Sequence, residues 1–216
     1  MSQVSKARLG VLLSGRGSNF AAIQKAIREN RLTNAEITLI VSNRPDAIGL
    51  EVAQAEGLKT LALDKAQFES RQAFDQAIVD ALQAERVDIV ILAGYDRIIT
   101  SALLDAYAGR ILNIHPSLLP AYGGKGMVGH KVHQAVLDNN EAQSGCSVHL
   151  VTEIVDGGAI LGQSSVPVLS TDTTETLAAR VLEQEHQLYP RVIGEFIQQL
   201  AQQEELTLHE QASLPA

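Results

Sequence analysis

The chain contains a single cysteine, no tryptophan and no apolar run of membrane-spanning length. With Cys146 alone no internal disulfide can form, which excludes a disulfide-stapled scaffold and fits a reducing compartment. Cations are also scarce: 17 Lys and Arg stand against 25 Asp and Glu, a formal charge of -8. That balance argues against nonspecific attraction to nucleic acid or to anionic membranes, so an anionic ligand must be held by local groups. The opening residues MSQVSKARLG carry no apolar stretch of the signal-peptide kind. These absences predict a cytoplasmic protein with neither nucleic-acid nor membrane partners.

What is present is a rhythm. Apolar bursts at 7–14, 36–42, 59–64 and 87–95 are each followed by a segment of helical period, at 19–30, 48–57, 70–85 and 101–109. In the third of these helices Phe74, Ile78 and Leu82 recur at four-residue steps, one face of a helix. Repeated βα units predict a parallel sheet with both faces covered. The pattern changes after ILNIH at 111–115, because the strands at 144–151 and 158–168 are separated only by TEIVDGG and its flanks. That connection is too short for a parallel crossover, so a hairpin and a mixed sheet are expected. The last segment, 174–203, predicts a long helix bent or broken at Pro190. The 216 residues are read as one α/β domain, 1–216.

Three stretches carry candidate chemistry. In ILNIHPSLLP, strand alternation puts Asn113 and His115 on one face, and Pro116 ends the ladder. Both polar side chains are therefore expected at the carboxyl edge of the sheet, where open α/β sheets bind ligands. In LLSGRGSNF, Gly15 and Gly17 allow a tight turn, and Ser18 or Asn19 can cap the following helix. Phe20 occupies the third-glycine position of a dinucleotide fingerprint and no acidic residue closes the second strand, so a phosphate monoester fits better. In TEIVDGG, Asp156 sits beside two glycines, from where it can reach His115 and favour its protonated form.

Other residues carry less. His130 and His133 stand three apart on a predicted helix without a third ligand, so no metal site is expected. Cys146 lies inside an apolar strand, where a small buried residue belongs. His149, on the same strand, reads as a core group or as support for the site. GGKGMVGHK, with four glycines, predicts a mobile loop that closes over substrate.

Taken together, SGRGSN, AGYDRII, LNIHPSLLP, SVHLV and VDGGAIL resemble the glycinamide ribonucleotide formyltransferase family nearly end to end. The resemblance implies a formyltransferase fold with a Rossmann-like amino-terminal half. It implies a nucleotide-binding half at about 8–110 and a catalytic and folate-binding half at about 111–210. It also implies transfer of a formyl group from 10-formyltetrahydrofolate, as cosubstrate, to glycinamide ribonucleotide in purine synthesis, with no metal. Asn113, His115 and Asp156 match the catalytic trio. Gly17, Ser18, Asn19 and Glu185 match the ribonucleotide site. Arg71, Asp96, Arg97, Ile98, Ile99, Asn113 and the loop Thr152, Glu153, Ile154, Val155, Asp156 match the folate site. Asp96 stands where some relatives carry methionine, which makes its expected role one of backbone rather than side chain. The related methionyl-tRNA formyltransferases add a carboxyl-terminal domain and formyltetrahydrofolate hydrolases an amino-terminal one; 216 residues are expected to hold neither.

In the chemistry so implied, Asn113 supplies a neutral hydrogen bond and His115 a cationic one to the formyl oxygen as an amine attacks the formyl carbon. Asp156 supports His115 and helps move the amine's proton. Two alternatives use some of the same residues. A formyltetrahydrofolate hydrolase shares the trio, and a noncatalytic nucleotide sensor shares the glycine loop.

Overall fold

An apolar strand followed by an amphipathic helix, repeated, buries both faces of a sheet, and this chain folds accordingly. The structure is a computed structural model and describes residues 6–212. Strands β1 (Ala7–Leu13), β2 (Ala35–Ser42), β3 (Thr60–Ala62), β4 (Ile89–Leu92) and β5 (Ile111–His115) alternate with helices α1 (Ser18–Arg28), α2 (Ile48–Ala55), α3 (Arg71–Ala84) and α4 (Ser101–Ala106). Helix α5 (His130–Asp138), strands β6 (Gln143–Leu150) and β7 (Ile160–Pro167), and helix α6 (Thr174–Ala212) follow.

All seven strands form one sheet in the order β3-β2-β1-β4-β5-β6-β7. Pairing is parallel from β3 to β5 and antiparallel from β5 to β7. The hairpin and the mixed sheet expected from the short 151–159 connection are present. Chain order reverses between β1 and β4, so the carboxyl ends of β1, β4 and β5 open on one edge, the position at which such sheets take ligands.

Two cores lie on the two faces. Leu9, Val11 and Leu13 of β1 and Leu112 and Ile114 of β5 pack with Phe20 and Ile23 of α1 and Leu177, Val181 and Leu188 of α6. Leu12, Val90, Leu92 and Ile111 pack with Phe74, Ile78 and Leu82 of α3 and Leu103 of α4. The alternation of β5 thereby sends Asn113 and His115 to the face opposite Leu112 and Ile114.

Three local expectations are corrected. Helix α6 runs unbroken through Pro190. A proline inside a helix costs about 3 kcal/mol, but each buried large apolar side chain contributes roughly 1.5–3 kcal/mol. Leu188, Tyr189, Val192, Ile193 and Phe196 are all buried around that proline, so packing holds the helix. Neither Ser18 nor Asn19 caps α1; Gly17 takes the cap position with no side-chain hydrogen bond. The third strand ends at Ala62 because Asp64 turns the chain, accepting the Ala66 N–H at 2.9 Å to start a 3₁₀ turn at Lys65–Gln67. Among the described residues no helix is long and apolar enough to cross a membrane.

Candidate active site

The antiparallel register of β5 and β6 sets Asn113 opposite His149 and His115 opposite Ser147. Asn113 Nδ2 lies 3.0 Å from His149 Nε2, and His149 Nδ1 lies 2.9 Å from the Leu150 carbonyl oxygen. A carbonyl only accepts, so His149 Nδ1 carries a proton, and in the neutral ring Nε2 is the acceptor for the Asn113 amide. His115 is buried, with Nε2 donating to the Tyr122 carbonyl at 2.8 Å and Nδ1 3.5 Å from Asp156 Oδ2. The other oxygen of Asp156 is 3.5 Å from His149 Nε2. One carboxylate thus stands between two imidazoles, both nearly fully buried.

The β6–β7 loop builds this position. Asp156 takes a left-handed backbone, φ 55°, which aspartate tolerates better than most residues. A side chain at Gly158 would put its Cβ 1.8 Å from the Leu150 carbonyl oxygen, so only glycine lets the hairpin close. Asp156 Oδ2 also accepts the Gly124 N–H at 2.9 Å, which ties the glycine-rich loop to the site. Burial by itself pushes the Asp156 carboxyl up, but the contact with His149, the charge of His115 and the Gly124 N–H outweigh it and hold the group below the usual range.

A buried polar network supports the turn after His115. Ser147 Oγ donates to the Ser117 carbonyl at 2.6 Å and accepts from the Leu119 N–H at 3.0 Å and Gln163 Nε2 at 2.8 Å. Those bonds steer the chain back so that the Tyr122 carbonyl meets His115.

Of the expected ribonucleotide group, Asn19 and Glu185 meet although 166 residues separate them, with Asn19 Nδ2 donating to Glu185 Oε2 at 2.6 Å. Asn19 Oδ1 is buried with no partner. Burial raises the Glu185 carboxyl, and the Asn19 amide opposes that only in part. Gly17 is buried beside them at φ 73°, and an added Cβ would stand 2.9 Å from the Gly49 backbone. Its glycine requirement therefore comes from the protein's own backbone.

Among the expected folate residues, Arg97 and Ile99 turn inward: the Arg97 guanidinium lies 4.4 Å over the Phe74 ring and Ile99 is buried. Ile98 is exposed, and Arg71 donates to its carbonyl. Thr152, Glu153 and Ile154 form an exposed turn, with Thr152 Oγ1 donating to the Ile154 carbonyl at 3.2 Å; Val155 is half-buried. The Asp96 side chain points to the end of β2. It accepts from Asn43 Nδ2 at 2.9 Å and pairs with Arg44, while its N–H donates to Ser14 Oγ at 2.9 Å. Burial raises the Asp96 carboxyl, and these donors together lower it below the ordinary range.

Cys146 is buried, its thiol pushed up to about 12 by burial first and then by Glu185. His133 is buried and pushed down to about 4 by burial, then by His130 and His115; His130 is exposed. The sequence left His149 open between a core group and a support for the site. Its signal was the alternation that puts it on the Ser147 face, but only the cross-strand register shows that this face meets Asn113.

The model of a family described as formyl transferase matches residues 7–193. A relative from Arabidopsis thaliana, named phosphoribosylglycinamide formyltransferase, chloroplastic, is 45% identical over 87% of this chain, and the chain spans 64% of that relative's length. The Escherichia coli protein named phosphoribosylglycinamide formyltransferase is 42% identical over 86% of this chain and 85% of its own. The crystal structure of glycinamide ribonucleotide transformylase 1 from Symbiobacterium toebii superposes with a TM-score of 0.84 at 44% identity, covering 88% of this chain and 87% of that one. With the fold, the strand-edge polar cluster and these likenesses in agreement, the chain belongs to the formyl transferase family, and the relatives and the structure it resembles carry the name phosphoribosylglycinamide formyltransferase or glycinamide ribonucleotide transformylase.

Proposed function

We propose that this chain transfers the formyl group of 10-formyltetrahydrofolate to the amino group of glycinamide ribonucleotide in the cytoplasm, giving formylglycinamide ribonucleotide and tetrahydrofolate. One observation carries the reading: a single carboxylate, Asp156, between two imidazoles on the strand edge that also presents Asn113.

In this reading a bond forms between the substrate amine and the formyl carbon, and the bond from that carbon to N10 breaks. Asn113 and His115 donate to the formyl oxygen as negative charge gathers there. Donors fixed in advance need no reorganisation in the transition state, and β5 does the fixing. The second N–H of the Asn113 amide is free for this because His149 takes the first. Both neighbours of the His115 ring, Asp156 and the Tyr122 carbonyl, only accept, so a ring carrying both protons satisfies each. The formyl oxygen competes with the Tyr122 carbonyl for the Nε2 proton. Asp156, ionised at neutral pH, lies where it can receive the proton that the amine sheds and return it to N10 as that nitrogen leaves. Asn113 and His115 already supply the polarising donors, so the reading calls for no metal.

Each ligand spans both halves of the chain. The ribonucleotide set joins Gly17, Ser18 and Asn19 from the nucleotide-binding half to Glu185 from the other. The folate set joins Arg71 and the Asp96–Ile99 backbone to Asn113 and the Thr152–Asp156 loop. Consumption of 10-formyltetrahydrofolate, assayed with and without glycinamide ribonucleotide, tests the proposal. Consumption that requires the amine is expected; consumption without it would mean a hydrolase, and none in either case would end both readings.

A further inference from the structure

Helix α3 begins at a Ser70 cap, whose Oγ accepts the Ala73 N–H at 3.0 Å. Arg71, Phe74 and Asp75, at positions i, i+3 and i+4, then share one face. That face grips the segment 95–100 between β4 and α4 at three points. Arg71 donates to the Ile98 carbonyl. Phe74 lies under the Arg97 guanidinium at 4.4 Å and is itself held edge-on by Phe68, 5.1 Å away. Asp75, only 2% exposed, accepts the Thr100 N–H at 2.6 Å.

These grips consume one carbonyl, one side chain and one N–H of the segment. Among the described residues the peptide N–H groups of Arg97, Ile98 and Ile99 make no hydrogen bond, and the Arg97 and Ile99 side chains face inward. What the segment can offer a ligand is therefore its backbone and the exposed Ile98 side chain, and the position of that backbone depends on α3. A buried carboxylate makes a stronger hydrogen bond than a neutral acceptor and is costly to leave unpaired, so the Asp75 contact holds the segment more firmly than the solvent-facing Arg71 contact.

We propose that Asp75 is a positioning residue for the formyl donor: through Thr100 it fixes the 97–99 backbone in the form that hydrogen-bonds the amide-bearing ring of the folate. The proposal rests on the formyl-transfer reading above. Asp75 touches neither substrate and acts on one of them only.

Steady-state kinetics of Asp75→Ala and Asp75→Asn with both substrates varied decide the matter. Loss of a hydrogen bond to a charged group corresponds to a change of about 10- to 100-fold. Asp75→Ala should raise KM for 10-formyltetrahydrofolate on that scale, with kcat and KM for glycinamide ribonucleotide within about twofold. Asp75→Asn, which keeps an acceptor, should recover most of the loss. An unchanged donor KM, or both KM values rising together, or no recovery in Asp75→Asn, would overturn the proposal. Should Asp75→Ala fail to fold, Asp75→Ser, whose shorter side chain leaves the Thr100 N–H without its acceptor, replaces it: faster amide exchange of Thr100 with a donor-only KM rise supports the role, and either one missing defeats it. Wild-type protein inactive with both substrates defeats the formyl-transfer reading and this one with it, whereas an active wild type with unaltered variants defeats Asp75 alone.

Discussion

The amide nitrogen of Asn113 and Nε2 of His149 lie 3.0 Å apart across two antiparallel strands. His149 is fixed in turn by its Nδ1 proton on the Leu150 carbonyl, so the Asn113 amide is held in one orientation. His149→Phe keeps the ring's bulk and removes the acceptor. Formyl transfer should fall about 10-fold, the worth of one net hydrogen bond, with little change in either KM. Steady-state rates of the purified variant check this, and full activity would detach His149 from the site.

Asp156→Asn removes the charge shared by the two imidazoles while keeping the shape and an acceptor for the Gly124 N–H. Loss of transfer by about 100- to 1,000-fold is expected. The carboxyl's pKa is lowered in the fold, so its charge contributes stability above the unfolded value of about 3.9 and loses it as pH falls through the lower folded value. Melting temperatures of wild type and variant should therefore differ at neutral pH and converge below about pH 4.

Glu185 shifts the other way. Burial raises its carboxyl, so the folded state favours the protonated form. Its contribution to stability is complete below the unfolded value of about 4.3 and is lost as pH rises through the folded value. Glu185→Gln, which can still accept from Asn19, should melt higher than wild type at pH 7 by a margin that shrinks toward pH 4. The same variant should bind glycinamide ribonucleotide more weakly, measurable by titration calorimetry.

Gly17→Val meets two obstacles, a positive φ and the Gly49 backbone at 2.9 Å. The left-handed conformation alone costs an L-residue about 1–2 kcal/mol. A lower denaturation midpoint together with lost ribonucleotide affinity is expected. Weakened ribonucleotide binding at unchanged stability would show instead that the glycine serves the ligand and not the fold.

Much of this molecule is legible in its residues taken in order. The βα rhythm, the hairpin forced by a short connection, and the face shared by Asn113 and His115 all follow from local periodicity and chain length, which act within a few residues. The motif around LNIHPSLLP and the Asp-Gly-Gly turn carried the family in the same local way. What periodicity cannot reach is the meeting of distant segments. The partnership of Asn19 with Glu185, the register that sets His149 beside Asn113, and the Asp96 side chain turned to Asn43 and Arg44 depend on strand order and cross-strand alignment. The path of α6 through Pro190 was likewise decided by packing, because burial of its neighbours outweighs the local preference of proline to end a helix. The sequence by itself determined which chemical groups stand at the sheet's edge; only the tertiary structure decided which of them come within reach of one another, since that depends on distances of a few ångströms between residues far apart in the chain.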